Sequence, residues 1–417
     1  MIIPSIDLQG GSTVQLVGGE KKALDAGDPR PIATKFGRVG EIAVVDLDAA
    51  LGTGSNAALI RDLLPLARCR VGGGIRDVKT AVDWLDAGAV QVVLGTAAKP
   101  EILRELPKDR VIAALDAKHG EVVTHGWVQG TGRGIAERML ELRDYVGGFL
   151  VTFVEREGRM QGTNMGEVAE LVKAAGNARL TIAGGVTTPE DVAELHRIGA
   201  DAQVGMALYT GRFDLADATA ALLQSDRPDG LWPTVVVDEH GTALGLAYSD
   251  KESLKAALDR GVGAYHSRKR GLWVKGESSG ATQALLAVDV DCDADALRFT
   301  VKQAPPGYCH LATATCWGDT HGIDATAKLV AQRAKDAPAG SYTKRLFDEP
   351  ELLAAKLTEE AGELSAARTA DEVAHEAADV LYFTLVAMAR QGVSLADVAR
   401  VLDKRALKVT RRPGNKK

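Results

Sequence analysis

The sequence predicts a multidomain chain: a parallel (β/α)8 barrel over residues 1–224, a β-rich α+β domain over 225–320 and an all-α domain over 321–417. Three observations predict it. At 417 residues the chain exceeds what one ordinary core supports. Short β-branched runs alternate with longer amphipathic stretches as far as residue 224 or so. From residue 351 to 407 Ala, Leu and Glu dominate and strand formers are scarce.

In the first segment the runs Ile42-Ala43-Val44-Val45, Val90-Gln91-Val92-Val93-Leu94 and Phe149-Leu150-Val151-Thr152 read as strands. An internal repeat supports the barrel. Val71-Gly72-Gly73-Gly74-Ile75, Ala87-Gly88-Ala89 and Leu94-Gly95-Thr96-Ala97 recur as Ala183-Gly184-Gly185-Val186, Ile198-Gly199-Ala200 and Val204-Gly205-Met206-Ala207. The polar run from Ser225 to Gly230 is a junction. Beyond it, residues 234–238, 263–267 and 285–290 read as strands, and 251–259 as a helix. A second junction lies between Gly318 and Ser341, and the tail from Lys408 is basic.

Composition narrows the function classes. The net charge of −6 argues against a nucleic-acid binder, and no apolar run approaches a membrane span. Met1-Ile2-Ile3-Pro4 lacks signal-peptide character, so a cytoplasmic enzyme handling small molecules is expected, without nucleic-acid or membrane partners. Four cysteines, three of them clustered, read as a metal site in a reducing compartment, with Cys69 as core.

Each segment carries its own chemistry. On an extended strand Asp291, Asp293 and Asp295 would share one face as hard ligands for magnesium, with Cys292 on the other. Cys309, beside His310, and Cys316 add soft ligands for zinc. In the helical segment Glu360 and Glu363 share a helix face, and Glu376 and Asp379 repeat the spacing on the next helix. One such pair alone would read as a solvated acidic face. Two pairs, the second in an otherwise core-like stretch over 374–382, point to magnesium and a polyphosphate. In the barrel, Asp7 and Asp116 stand at strand ends in opposite halves. The turns holding Gly73, Gly74, Gly95 and Thr96, and their counterparts Gly184, Gly185, Gly205 and Met206, offer backbone N–H groups to a phosphate at two pseudo-symmetric places. Singly, each turn would read as a tight strand–helix connection.

These patterns resemble three enzyme families of histidine biosynthesis. Ser341-Tyr342-Thr343, Lys356 and the two acid pairs resemble phosphoribosyl-ATP pyrophosphohydrolase, related to MazG-type pyrophosphatases. That implies magnesium-assisted release of pyrophosphate, with Lys344, Arg345 and Lys356 as phosphate ligands. Ser267-Arg268-Lys269-Arg270, the run from Leu272 to Gly280, residues 291–295, Cys309-His310 and Cys316 resemble phosphoribosyl-AMP cyclohydrolase. The resemblance implies zinc on Cys292, Cys309 and Cys316, its shell completed across a subunit interface. It also implies magnesium on Asp291, Asp293 and Asp295, opening of the adenine ring by zinc-activated water, and His310 as proton shuttle. Arg268, Arg270 and Lys275 would bind the ribose phosphate.

The barrel resembles the cofactor-free isomerase that converts the aminoaldose ProFAR to the aminoketose PRFAR. Asp7 matches its general base and Asp116 a second acid. Residues 152–162, from Thr152 through Glu157, match the segment carrying the general acid. Glu157 stands where the commoner bacterial pattern has aspartate, and Phe153 where another acid is frequent. Glu157 and the run from Gln15 to Gly19 resemble the eukaryotic branch, and the sister cyclase barrel would have a lysine near Gln15. The expected function is trifunctional, from phosphoribosyl-ATP to PRFAR, in a homodimer or larger assembly. The alternative is a bifunctional hydrolase carrying a non-catalytic scaffold or regulatory barrel.

Overall fold

The computed structural model describes residues 1–17, 21–118, 120–124, 129–154 and 162–410. It divides into two compact units. The first comprises Met1–Asp238, Leu246–Pro305 and Leu407–Lys417; the second comprises Glu239–Gly245 and Pro306–Ala406.

In the first unit eight parallel strands close a ring. In chain order they are Ile2–Gln9, Glu41–Asp46, Arg68–Gly72, Gln91–Leu94, Val111–Lys118, Gly148–Phe153, Arg179–Ala183 and Ala200–Val204. Each pairs with the next, and the eighth returns to the first through Ile2 opposite Ala202. The strands read as near-continuous apolar runs because both faces are covered. Ile6, Val44, Val92, Phe149 and Ile182 are fully buried.

The repeat seen in the sequence extends to a feature that sequence did not reveal. An antiparallel arm follows the first strand (Ser12–Val17 with Lys21–Gly27), and another follows the fifth (Glu121–Thr124 with Gln129–Gly134). Asp7 pairs with Val14 in one arm, and Asp116 pairs with Val123 in the other. The two acids therefore occupy equivalent registers on opposite sides of the ring.

The same unit holds strands Trp232–Val237, Leu297–Gln303 and Gln283–Val290 of a four-stranded sheet, whose edge strand Ala243–Ser249 belongs to this unit from Leu246 on. Beside it are helix Lys251–Arg260 and the hairpin Ala264–Ser267 with Gly271–Val274. Asp250 starts that helix in a capping box with Ser253. Tyr265 and Phe299, both fully buried, pack at 5.5 Å between ring centroids. Salt bridges Lys35–Asp259 and Lys251–Asp217, with Arg38 donating to the Leu258 carbonyl at 2.8 Å, fasten this part to the barrel helices.

The second unit is helical beyond Gly322: Gly322–Arg333, Tyr342–Asp348, Pro350–Ala366, Ala370–Arg390 and Leu395–Ala406. Its core is Val330, Leu346, Leu353, Phe383, Leu385 and Val386. Thr369 and Glu372 form a capping box that fixes the start of the longest helix. No helix among the described residues is long and apolar enough to cross a membrane.

Candidate active sites

The barrel gathers its polar groups at the C-terminal ends of its strands. Asp7 keeps some surface open at the barrel mouth, yet protein crowds its carboxyl. Desolvation pushes it up to about 7, against a weaker opposing hydrogen bond from Gln15. Buried Gln15 donates through Nε2 to Asp7 Oδ2 at 3.4 Å and to the Val14 carbonyl at 3.0 Å. Burial and the nearby Asp7 also raise the Tyr209 phenol, which donates to the Ser5 carbonyl at 3.0 Å. Thr152 is buried and lies in register between Asp116 and Ala183 on its two neighbouring strands. Phe153 is buried as well. Glu157 lies outside the described residues, as do Gly18 and Gly19.

The glycine turns differ in what they line. Ser5, Ala183, Gly184, Gly185, Gly205 and Met206 line one pocket together. Gly185 has a φ of +87°, and a side chain there would meet the Gly162 carbonyl at 2.5 Å. Gly73, in the other half, has a φ of +94° and no room beside the Asp46 backbone. Both positions therefore require glycine. Gly74 shares the left-handed backbone, while Gly95 and Thr96 sit exposed on the following turn.

Residues 291–295 correct the strand reading. They form the turn between strands Gln283–Val290 and Leu297–Gln303, with Ala294 at a φ of +61°. The three acids converge because the chain folds back: Asp291 Oδ1 accepts from the Asp295 and Ala296 amides, both at 3.0 Å. Strand alternation plays no part. Carboxylate oxygens of Asp291, Asp293 and Asp295 lie within 4.8 Å of one another, all on exposed residues. Neighbouring Asp293, first, and Asp291 raise the Asp295 carboxyl, whereas backbone N–H groups of Ala296 and Asp295 outweigh desolvation and lower Asp291.

Cys292 is exposed on this turn. Cys309 and Cys316 belong to the second unit, on a loop stitched by the Cys309 amide to the Thr313 carbonyl (3.2 Å) and the Cys316 amide to the Leu244 carbonyl (2.9 Å). Hydrogen bonds from the Leu311 backbone, then Thr313, hold the Cys309 thiol below its ordinary value. His310 Nδ1 is 3.8 Å from Cys309 Sγ, on an exposed residue. In the first unit Arg270 and Lys275 both stand over Trp273, at 5.2 and 5.7 Å, and Arg268 stands over Tyr248 at 5.5 Å.

In the helical unit Glu360, Glu363 and Glu376 bring carboxylate oxygens within 4.8 Å of one another, from two packed helices. Asp379 is not in that group. Glu360 is buried, and Lys356 Nζ lies 2.8 Å from Glu359 and 3.5 Å from Glu360. Desolvation, then Glu363 and Glu360, raise the Glu376 carboxyl. Lys344 and Arg345 are paired along their helix with Asp348 and Glu349. Residues 374–382 are not core-like. Ala374, His375, Ala378, Asp379 and Leu381 are exposed, because this helix buries Phe383, Leu385 and Val386 instead.

Two arrangements escaped the sequence reading. Asp46, ending the second strand, is buried and bound to Asn56 through its amide (2.7 Å) and side chain (2.8 Å). The rule that singled out Asp7 and Asp116 would have found it. His266 Nδ1 lies 2.6 Å from Asp250 Oδ2, a pairing that only the fold brings together.

Comparison with known proteins agrees with this layout. The family profile described as histidine biosynthesis protein matches residues 1–214, more than half of the chain. The chain belongs to the histidine biosynthesis protein family. Beyond that barrel, profiles for phosphoribosyl-AMP cyclohydrolase and phosphoribosyl-ATP pyrophosphohydrolase match residues 245–318 and 324–406. Over 206 residues, 49% of this chain, it is 48% identical to a histidine biosynthesis trifunctional protein of Komagataella pastoris, covering 24% of that relative. It is 50% identical to a histidine biosynthesis bifunctional protein of Schizosaccharomyces pombe over 49% of each chain. An imidazole-4-carboxamide isomerase of Methanosphaerula palustris is 37% identical over 53% of this chain and 99% of its own length. The chain thus spans about a quarter of the first of these relatives and about half of the second.

Proposed function

We propose that the chain carries three consecutive activities: residues 321–417 release pyrophosphate from phosphoribosyl-ATP, residues 225–320 open the adenine ring of phosphoribosyl-AMP, and residues 1–224 isomerise ProFAR to PRFAR. The observation that carries this reading is the succession of three matched families in one chain, each acting on the product of the next along the sequence. Under this reading the substrates are small phosphoribosyl nucleotides, and the compartment is the reducing cytoplasm, where the thiols stay reduced.

The donor sets fit the metals. Three hard oxygens within 4.8 Å, at Asp291, Asp293 and Asp295 and again at Glu360, Glu363 and Glu376, suit magnesium. Cys309, Cys316 and Cys292 are the thiols that the cyclohydrolase resemblance assigns to zinc, and soft thiolates suit that ion. When bound, zinc supplies an activated water and magnesium offsets phosphate charge. The chain's own groups do the rest. Arg268, Arg270 and Lys275 bind the ribose phosphate, and His310 moves the proton to and from the ring nitrogen. Lys356 orients the polyphosphate beside Glu360.

In the barrel, the two glycine turns bind the two phosphates of ProFAR and hold the reacting sugar between Asp7 and Asp116. With its carboxyl near 7, Asp7 can take a proton from the sugar carbon and release it at working pH. Such tuning favours a catalytic barrel over a scaffold. Homodimerisation is part of the proposal, supported by exposed Leu381, Val401 and Leu402 on the helical unit. The test supplies phosphoribosyl-ATP to the full chain with zinc and magnesium. PRFAR should form, Asp7→Asn should stop at ProFAR, and ProFAR accumulating with the unaltered chain would contradict the isomerase assignment.

A further inference from the structure

The junction after the barrel touches the cyclohydrolase part of the same unit at two places. The Gln224 backbone N–H donates to the Ala294 carbonyl at 2.7 Å, in the turn that gathers Asp291, Asp293 and Asp295. Three residues on, the Arg227 guanidinium lies 4.6 Å from the centroid of the Tyr248 ring, and that of Arg268 lies 5.5 Å from the same centroid. The two cations differ in one respect. Asp229 neutralises Arg227, accepting from its Nε and Nη2 at 2.9 and 2.8 Å. Arg268 is exposed and has no carboxylate partner among the described residues. The junction is itself held in place: Ser225 Oγ donates to the Leu231 carbonyl at 2.9 Å and accepts from the Arg227 amide at 3.3 Å.

We propose that Arg227 and Tyr248 are positioning residues for the ring-opening reaction, holding the Arg268 guanidinium ready for the substrate's ribose phosphate. An exposed arginine loses much side-chain freedom when it grips a phosphate, and an aromatic face that restrains the guanidinium beforehand reduces that loss. Arg227 takes the nearer place over the ring, and its Asp229 partner offsets the repulsion between the two cations. The donors of Arg268 remain unspent on carboxylates of the described residues. The junction after the barrel thus helps to build the proposed cyclohydrolase site, and the same junction ties down the acidic turn through Ala294. The inference rests on the reading that residues 225–320 act on phosphoribosyl-AMP with Arg268 on its phosphate.

The test is steady-state kinetics of the full chain on phosphoribosyl-AMP with zinc and magnesium. Arg227→Ala and Tyr248→Leu should each raise KM about two- to fivefold at unchanged kcat, the range a cation–ring contact at an exposed site supports. Tyr248→Phe keeps the ring and should retain the original KM. Arg268→Ala should raise KM about tenfold or more, because a charge-assisted phosphate contact is lost. If Arg268→Ala raises KM while Arg227→Ala and Tyr248→Leu leave it unchanged, the positioning role is overturned and the phosphate assignment stands. A fall in kcat with a lowered melting temperature in Arg227→Ala would also overturn it, as the mark of a merely structural residue. If Arg268→Ala itself leaves KM unchanged, the underlying phosphate assignment fails and this inference fails with it.

Discussion

The barrel and the helical unit both collect carboxylates, and they do so in opposite ways. Asp7 sits on a strand of a closed ring, its partner Gln15 is buried, and desolvation sets its proton affinity. Glu376 shares its site with buried Glu360 and exposed Glu363 on two packed helices, and there desolvation, joined by repulsion from Glu363 and Glu360, raises its carboxyl. A closed sheet can hold one charged group in a low-polarity place because every backbone group around it is already paired. Three acids gathered from two helices crowd like charges together, which is why the proposed function places magnesium among them.

The sharpest way to break this comparison is to remove the barrel acid. Asp7→Asn should lower isomerase kcat by about a hundredfold to ten-thousandfold, the range for loss of a general base, while pyrophosphate release from phosphoribosyl-ATP stays unchanged. Loss of both activities would mean that the substitution acts on folding. Next in size, Gly185→Ala should destabilise the chain by about 1–3 kcal/mol in a thermal melt and raise KM for ProFAR, since its backbone is left-handed and the Gly162 carbonyl blocks a side chain.

The pH dependence sharpens the contrast. If Asp7 is the base of the proposed isomerisation it works deprotonated, so kcat/KM should climb through an apparent value near 7 as pH rises. Stability runs the other way. A carboxyl raised from 3.8 in the unfolded chain to about 7 in the fold gives its full stabilisation below about 4 and loses it as pH rises through 7. Asp7→Asn should therefore stabilise the chain above pH 7 by an amount on the order of a few kcal/mol, with little change at pH 4. A melting temperature equally shifted at both pH values would contradict the desolvated-acid account. Smallest, Glu363→Gln should raise the melting temperature slightly in EDTA by relieving repulsion, and magnesium should erase the gain.

The barrel was legible because its repeat is written in glycines, and because strands buried on both faces leave unbroken apolar runs such as residues 42–45 and 149–152. The matching arms after the first and fifth strands were missed, although Gly11 and Gly120, each four residues after Asp7 and Asp116, mark their equivalent turns. Asp291, Asp293 and Asp295 were identifiable as a group, but their alternation mimicked a strand. The turn depends on backbone bonds to the Asp291 carboxylate and on the left-handed Ala294, which composition does not announce. Asp379 follows the helical spacing of Glu376 and adds to the repulsion on its carboxyl, while the three acids with oxygens within 4.8 Å of one another are Glu360, Glu363 and Glu376. The His266–Asp250 pair depends wholly on tertiary placement.

The most direct test of the contrast is to strip the full chain of divalent ions with EDTA and assay the two ends of the proposed sequence separately. The account predicts that ProFAR is converted to PRFAR at the rate of untreated protein, whereas pyrophosphate release from phosphoribosyl-ATP stops and returns with magnesium. Isomerase activity that vanishes with the metals, or pyrophosphate release that persists without them, would contradict it.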